Sequence, residues 1–162
     1  MKARITLGLL TAAFVATLVT AGALATGPGP GLSSTLLARF TVGAGTITAT
    51  DGPNKLQLNF DDTLDLAVVK ATLTAGGQTG WHAHPMDSVV AVTQGSLTVS
   101  MPDPIGKRCL EREYSQGEAF LHGKDVHNFV GGPSGAEFYV LYMAPVGAAL
   151  GDFSPPVPEG CA

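Results

Sequence analysis

The chain of 162 residues carries little charge and few aromatic side chains, and this scarcity excludes several classes of protein. Charged residues make up 14% of the sequence, with 9 Lys and Arg against 13 Asp and Glu and a formal net charge of −4. No basic stripe is present that would bind nucleic acid, and no polybasic patch that would bind anionic lipid. We therefore expect neither nucleic acid nor a membrane surface as a partner.

After the N-terminal region, the sequence has no segment in which apolar residues recur with the spacing of an α-helix. Its 21 Gly and 11 Pro interrupt every window before a 3.6-residue repeat is established. What remains is a series of short segments in which apolar and polar residues alternate. The pattern predicts an all-β fold of about nine or ten antiparallel strands, in a sandwich, a barrel or a jelly roll.

The predicted strands are separated by turns rich in Gly, Pro, Asn and Asp. Gln94-Gly95 is interpreted as the turn of a hairpin, and residues 102–116 as a loop with a short strand around Tyr114. The strands are predicted at 36–42, 46–50, 56–60, 64–74, 89–93, 96–101, 118–122, 127–130 and 137–143.

The N-terminus has the three parts of an export signal. Two basic residues among the first four precede an apolar stretch over 5–19, and Ala23-Leu24-Ala25 is an A-x-A-like cleavage site. Threonines interrupt the stretch, which is short for a span of about 20 residues, so cleavage is favoured over an uncleaved anchor. We predict Sec-type export to the periplasm, the cell envelope or the medium. The predicted divisions are a signal peptide over 1–25, a flexible linker over 26–34, a β-domain over 35–147 and a proline-rich tail over 148–162.

Only two cysteines are present, Cys109 and Cys161. In an exported protein an even number of cysteines makes a disulfide the expected state, and this one would tie the middle of the domain to the tail. The alternative is a redox or soft-metal pair, which the absence of a CxxC motif or of an adjacent histidine makes less favourable.

All four histidines lie between positions 82 and 127. His82 and His84 have the i, i+2 spacing that puts two strand side chains on one face, and His127 can reach them from a distant strand. Imidazole nitrogen suits divalent transition metals, so Fe, Zn, Mn, Ni and Cu are all candidates. His122 is left open as a fourth ligand, as a residue supporting the ligands, or as a solvated loop histidine.

The segment around the first histidine pair resembles the first motif of the cupin superfamily. That motif is Gly, five residues, His-x-His, three or four residues, Glu, six residues, Gly. It is met here by Gly76, His82, His84 and Gly95, but Ser88 stands where Glu is expected. Asp87 has the opposite strand parity and does not simply replace the missing carboxylate.

A second segment resembles the second cupin motif more loosely. Gly117 opens it and His127 matches its histidine, but the interval is one residue short and the usual Pro-x-Gly is replaced near His122. The resemblance covers roughly residues 64–145. It implies a double-stranded β-helix, or jelly-roll barrel, with a metal held by His82, His84 and His127; a homodimer is left open.

Two functions follow from the resemblance and the missing Glu. Three neutral imidazoles leave the full charge of a divalent ion facing the cavity, which attracts a small anionic ligand. The first function is therefore an exported metal-binding cupin that holds a divalent metal and a small anion. The alternative is a metal-dependent oxidoreductase, similar to Fe(II) dioxygenases, acting on a small anionic or phenolic substrate. A titratable residue with a perturbed pKa in the metal cavity favours catalysis, whereas an apolar mouth favours binding.

Overall fold

A computed structural model describes residues 29–105, 108–153 and 155–161, and the predicted signal peptide lies outside these ranges. All secondary-structure elements in these ranges are strands. None of the described segments is a helix long and apolar enough to cross a membrane. The strands are β1 (Leu32–Val42), β2 (Gly45–Asp51), β3 (Asn54–Phe60), β4 (Leu64–Leu73), β5 (Ser88–Pro102), β6 (Cys109–Ser115), β7 (Ala119–His122) and β8 (Asn128–Pro145).

Six of the strands form one antiparallel sheet in the order β1-β4-β8-β5-β6, with β7 paired to β5 beside them. β2 and β3 form a separate two-stranded hairpin. The predicted all-β, antiparallel fold is confirmed. The strands predicted at 46–50 and 56–60 are confirmed as well, and they pair with each other, Thr46 with Asn59 and Thr50 with Lys55.

The core lies on the inner face of the large sheet. Strand side chains alternate between faces, so β4 buries Ala67, Val69, Ala71 and Leu73 on one side. These side chains belong to one cluster with residues of β5 and β8, including Leu97, which is fully buried. Burying a side chain of this size contributes about 1.5–3 kcal/mol, so this cluster is a main source of the stability of the fold.

The predicted hairpin at Gln94-Gly95 is wrong, because residues 88–102 form one continuous strand, β5. Gly95 adopts φ +69°, and the pairing with β8 shifts register on both sides of it, between Val92 and Gln94 and between Gly95 and Leu97. A positive φ at glycine bends a strand without reversing it when the partner strand follows the same bend.

The two strands predicted at 127–130 and 137–143 are likewise one strand, β8, which pairs with β5 on both sides of residues 132–135.

Two other boundaries differ from prediction. The short strand predicted around Tyr114 is longer than expected: β6 covers 109–115, and most of its side chains are exposed. An edge strand with charges on both faces shows no alternation of apolar and polar residues, so the sequence could not indicate the full length of β6.

β1 begins at Leu32, inside the predicted linker over 26–34, because Leu32–Val42 pairs with the apolar strand β4. Sheet pairing there outweighs the weak strand preference of the two serines at positions 33 and 34.

Candidate metal centre

Backbone pairing brings the histidine pair to the start of β8. His82 and His127 form an antiparallel bridge in which each backbone N–H donates to the other's carbonyl at 2.9 Å. His84 lies two residues beyond His82, so its side chain returns to the same side. The segment that carries the HxH motif is thereby held against the strand that follows the third histidine.

The imidazoles of His82, His84 and His127 form a compact buried cluster. One donor atom from each lies within 4.8 Å of the others, and the side chains are only 3%, 7% and 0% exposed. Two nitrogens bound to one zinc ion at about 2.1 Å lie at most about 4.2 Å apart, so small side-chain rotations suffice for a shared ion. The structure thus brings together the three histidines that the sequence selected as metal ligands.

Hydrogen bonds fix the tautomer of each of these histidines. Nδ1 of His82 lies 2.8 Å from the carbonyl oxygen of Gly80, Nδ1 of His84 lies 2.6 Å from that of Leu150, and Nδ1 of His127 lies 2.8 Å from that of Asp125. A carbonyl only accepts, so each Nδ1 carries the proton and donates it. Each Nε2 therefore keeps its lone pair, which is the arrangement found around metal-binding histidines.

The environment keeps the cluster neutral. Burial lowers the pKa of His82 to about 4, and the neighbouring His84 contributes to that shift. Burial also lowers the pKa of His84, and it lowers that of His127 far below the ordinary value. Nε2 of His127 is buried without a hydrogen-bond partner among the described residues. A buried lone pair without a partner is costly unless a proton or a metal satisfies it, and the low pKa disfavours the proton.

Ser88 and His122 lie beside the cluster. Ser88 is 1% exposed and Asp87 is exposed, as their strand parity predicts. His122 is 4% exposed, with its ring centroid 3.6 Å from that of His127, so the interpretation as a solvated loop histidine is wrong. The short strand β7 pairs with β5 and turns this side chain inward, which its place in an irregular motif did not indicate.

The tail contributes to the site, which the sequence did not indicate. Besides the hydrogen bond between Leu150 and His84, the ring of Phe153 stacks on that of His82 at 4.8 Å and 17°. Ala83 and Asp152 form a two-bond antiparallel bridge at 2.9 Å. Residues 148–153, predicted as part of a tail outside the domain, therefore cover the histidines. Phe153 is the one aromatic residue after position 147, and that is the only sequence signal of this role.

Contacts on both sides hold this segment in place. Asp65, which is 4% exposed, accepts hydrogen bonds from the backbone of Gly147 and the side chains of Thr41 and Arg39, and these bonds lower its pKa to about 2. Arg39 also donates to the carbonyl of Ala148 at 2.8 Å. At the other end, the predicted disulfide between the cysteines at 109 and 161 is confirmed.

A cavity of about 20 Å³ adjoins the cluster, which is room for roughly one water molecule. Its lining is mostly apolar and aromatic, with Phe129, Phe138 and Phe153 among the residues around His82. Tyr142 is a titratable residue on this lining, and burial raises its pKa. Its phenol stays neutral and retains a hydrogen for donation.

The described strands form an antiparallel β-fold that brings an HxH pair and a distant third histidine into one buried cluster able to hold a metal ion. The predicted resemblance to the cupin superfamily is confirmed in these respects, because the cluster of His82, His84 and His127 fits a cupin metal site.

Comparison with solved structures finds similarity to oxalate-converting enzymes. Oxalate decarboxylase from Bacillus subtilis at pH 4.6 is 21% identical over 54% of this chain and 23% of its own, with a TM-score of 0.47. Oxalate oxidase in complex with the substrate analogue glycolate is 21% identical over 57% of this chain and 47% of its own, with a TM-score of 0.48. The chain thus spans less than half the length of either. No family model matches the sequence, and no curated protein matches it.

Proposed function

We propose that this protein is an exported, metal-binding cupin of the jelly-roll type. It holds one divalent transition metal on Nε2 of His82, His84 and His127, and it takes a small anion at the remaining coordination positions. The proposal rests on the three Nδ1–H donors paired with carbonyls, which leave the Nε2 lone pairs of three clustered, buried histidines available to one ion. Fe, Zn, Mn, Ni and Cu all accept such a donor set.

Charge supports the anionic ligand. All three donors are neutral, and Ser88 stands at the position where the cupin motif has a carboxylate. A divalent ion held there keeps its full charge within apolar surroundings, where attraction for an anion is stronger than in water. The cavity of about 20 Å³ suits water or a very small anion while Phe153 covers it.

The proposed export has one supporting observation in the folded part of the chain. The disulfide between Cys109 and Cys161 is of the kind that persists in oxidising compartments and is rare in the cytosol. With the charged, apolar and small-residue segments at the N-terminus, it favours a protein that works outside the cytoplasm.

One observation favours the alternative, a metal-dependent oxidoreductase. Tyr142 is a buried, neutral phenol whose ring centroid lies 4.9 Å from that of His84. A phenol so placed can donate a hydrogen bond to an anion beside the metal. Oxygen uptake by the Fe(II)-loaded protein with small carboxylates and phenols tests this activity; uptake that Tyr142→Phe lowers supports it, and the absence of uptake leaves the binding function.

The metal-binding proposal is tested by titration of the mature protein with Zn²⁺ or Co²⁺. We expect one ion per chain in the wild type and no specific binding in His84→Ala. The matched control is Lys124→Ala, an exposed residue on the loop before His127, which should bind as the wild type does. Equal binding by His84→Ala and the wild type contradicts the proposal.

A further inference from the structure

We infer that His122 is a fourth, neutral ligand of the same metal, entering from β7 at the position that a carboxylate at residue 88 would take. The inference rests on the proposed three-histidine site and deepens it. It replaces a mixed set of imidazoles and a carboxylate with four imidazoles and leaves the net charge of the bound ion unreduced.

The strand register places His122 next to residue 88, where the cupin motif has a carboxylate. Ser88 on β5 is the direct antiparallel partner of His122 on β7 and, on its other side, of Tyr142 on β8. Directly paired residues share a face of the sheet, with Cβ atoms about 4.5–5.5 Å apart. All three side chains are buried on the inner face, so a small serine stands between two large rings. Serine is smaller than the glutamate of the motif, and its direct partner His122 lies next to the position of the missing carboxylate.

The hydrogen-bond pattern distinguishes His122 from a histidine of the core. Nε2 of His122 is buried without a partner among the described residues, as are Nε2 of His127 and Oγ of Ser88. Buried polar atoms normally have partners, so unpaired Nε2 atoms on two histidine rings in contact favour one shared species that accepts their lone pairs. A metal ion satisfies both imidazole nitrogens at once.

His122 lies at the edge of the cluster and can turn into it. Its ring centroid is 3.6 Å from that of His127 and 6.2 Å from that of His84. In contrast to the other three histidines, neither of its ring nitrogens has a hydrogen bond to a described residue. Rotation of the ring toward the shared ion therefore breaks no hydrogen bond.

Two carboxylates lie close to the backbone that follows His122. Oδ1 of Asp87 and Oδ2 of Asp125 lie 3.7 and 3.9 Å from the point where a side chain on Gly123 would begin, one residue after His122. Ligating histidines commonly direct their second N–H toward a carboxylate, which orients the ring. Both carboxylates are therefore candidates to accept a hydrogen bond from Nδ1–H of a His122 ring whose Nε2 faces the ion.

The test uses Co²⁺ and three variants of the mature protein. In His122→Ala we expect Co²⁺ affinity to fall by more than the roughly 10–100-fold that loss of an outer partner costs. In the double variant Ser88→Glu with His122→Ala, the added carboxylate should restore most of that affinity. Leu121→Ala, at an exposed neighbour on the same strand, is the control and should bind as the wild type does.

A measurement on the unaltered protein makes the result independent of how well the variants fold. Each Co²⁺-bound histidine gives one strongly shifted, exchangeable ring N–H resonance in the proton NMR spectrum. Four such resonances support the inference. Three resonances, with wild-type Co²⁺ affinity in His122→Ala, overturn it and leave the three-histidine site intact. The proposed function itself fails only if His84→Ala also binds Co²⁺ as the wild type does.

Discussion

At the scale of single residues, the site depends on histidines that stay uncharged. Burial lowers the pKa of His82 and of His122 to about 4, against an ordinary value of 6.5. The unfolded chain therefore takes up protons on these residues below about pH 6.5, whereas the folded chain takes them up only near pH 4. The stability contributed by the neutral histidines is complete above pH 6.5 and is lost as the pH falls toward 4.

The first prediction is acid sensitivity of the metal-free protein. Its free energy of unfolding should fall by about 3 kcal/mol or more between pH 7 and pH 4, since a histidine with this lowered pKa contributes about that much. Denaturant unfolding across this pH range measures it. A stability that stays constant over the range would contradict the assignment of neutral, buried imidazoles.

The second prediction concerns Ser88→Glu. The new carboxylate should take the coordination position of His122, raise metal affinity and weaken the binding of azide or formate to the metal-loaded protein, because it neutralises one unit of charge. Spectroscopic titration of the Co²⁺-loaded variant with each anion measures the effect. If metal affinity and anion affinity both stay unchanged, residue 88 does not face the coordination shell.

Residue identity and spacing allowed much of the site to be predicted. The i, i+2 spacing selected His82 and His84, and the motif register selected His127. The carbonyl of Leu150 could not be predicted, because a backbone acceptor leaves no signature in the sequence. His122 was open for a related reason, since its inward direction depends on the pairing of β7 with β5.

At the scale of elements, the structure differs from the sequence prediction where the long strands bend. The sequence predicts a hairpin turn at Gly95, but a glycine with a positive φ occurs in β-bulges as well as in turns. The choice depends on the partner strand, because the carbonyl of Gly135 lies so close that a side chain at Gly95 would collide with it. Such a contact across the sheet cannot be inferred from local sequence.

The third prediction uses two glycines that share a positive φ. Gly95→Ala should combine left-handed strain with the collision against Gly135, whereas Gly117→Ala, at φ +89° with open space around it, should show the strain alone. We expect the first to lower stability by about 1–3 kcal/mol more than the second, as overpacking does. Equal losses in thermal unfolding would show that β5 tolerates a side chain at its bend.

The segment over residues 148–153 is the other element with a function of its own. The fourth prediction is that Phe153→Ala speeds metal release to a chelator, since it removes the ring that covers His82 and opens the cavity. Val157→Ala, at a half-exposed position farther along the tail, is the control and should release metal at the wild-type rate. Stopped-flow chelation measures both rates, and equal rates would exclude a covering role for Phe153.

At the scale of the whole molecule, the buried Asp65 binds the chain just before the covering segment, and the disulfide at Cys161 fixes the tail beyond it. The exported location and the anionic ligand remain proposals that the folded domain supports through its oxidised cysteines and neutral donor set. The large sheet positions the histidines, and the tail protects them. We expect one divalent ion to bind where these parts meet.

Anomalous diffraction from crystals of the mature protein grown with excess Zn²⁺ or Co²⁺ locates this ion. We expect one strong anomalous peak per chain, about 2.0–2.1 Å from Nε2 of His82, His84 and His127. A peak located elsewhere, or no peak among these imidazoles despite excess metal, would contradict it.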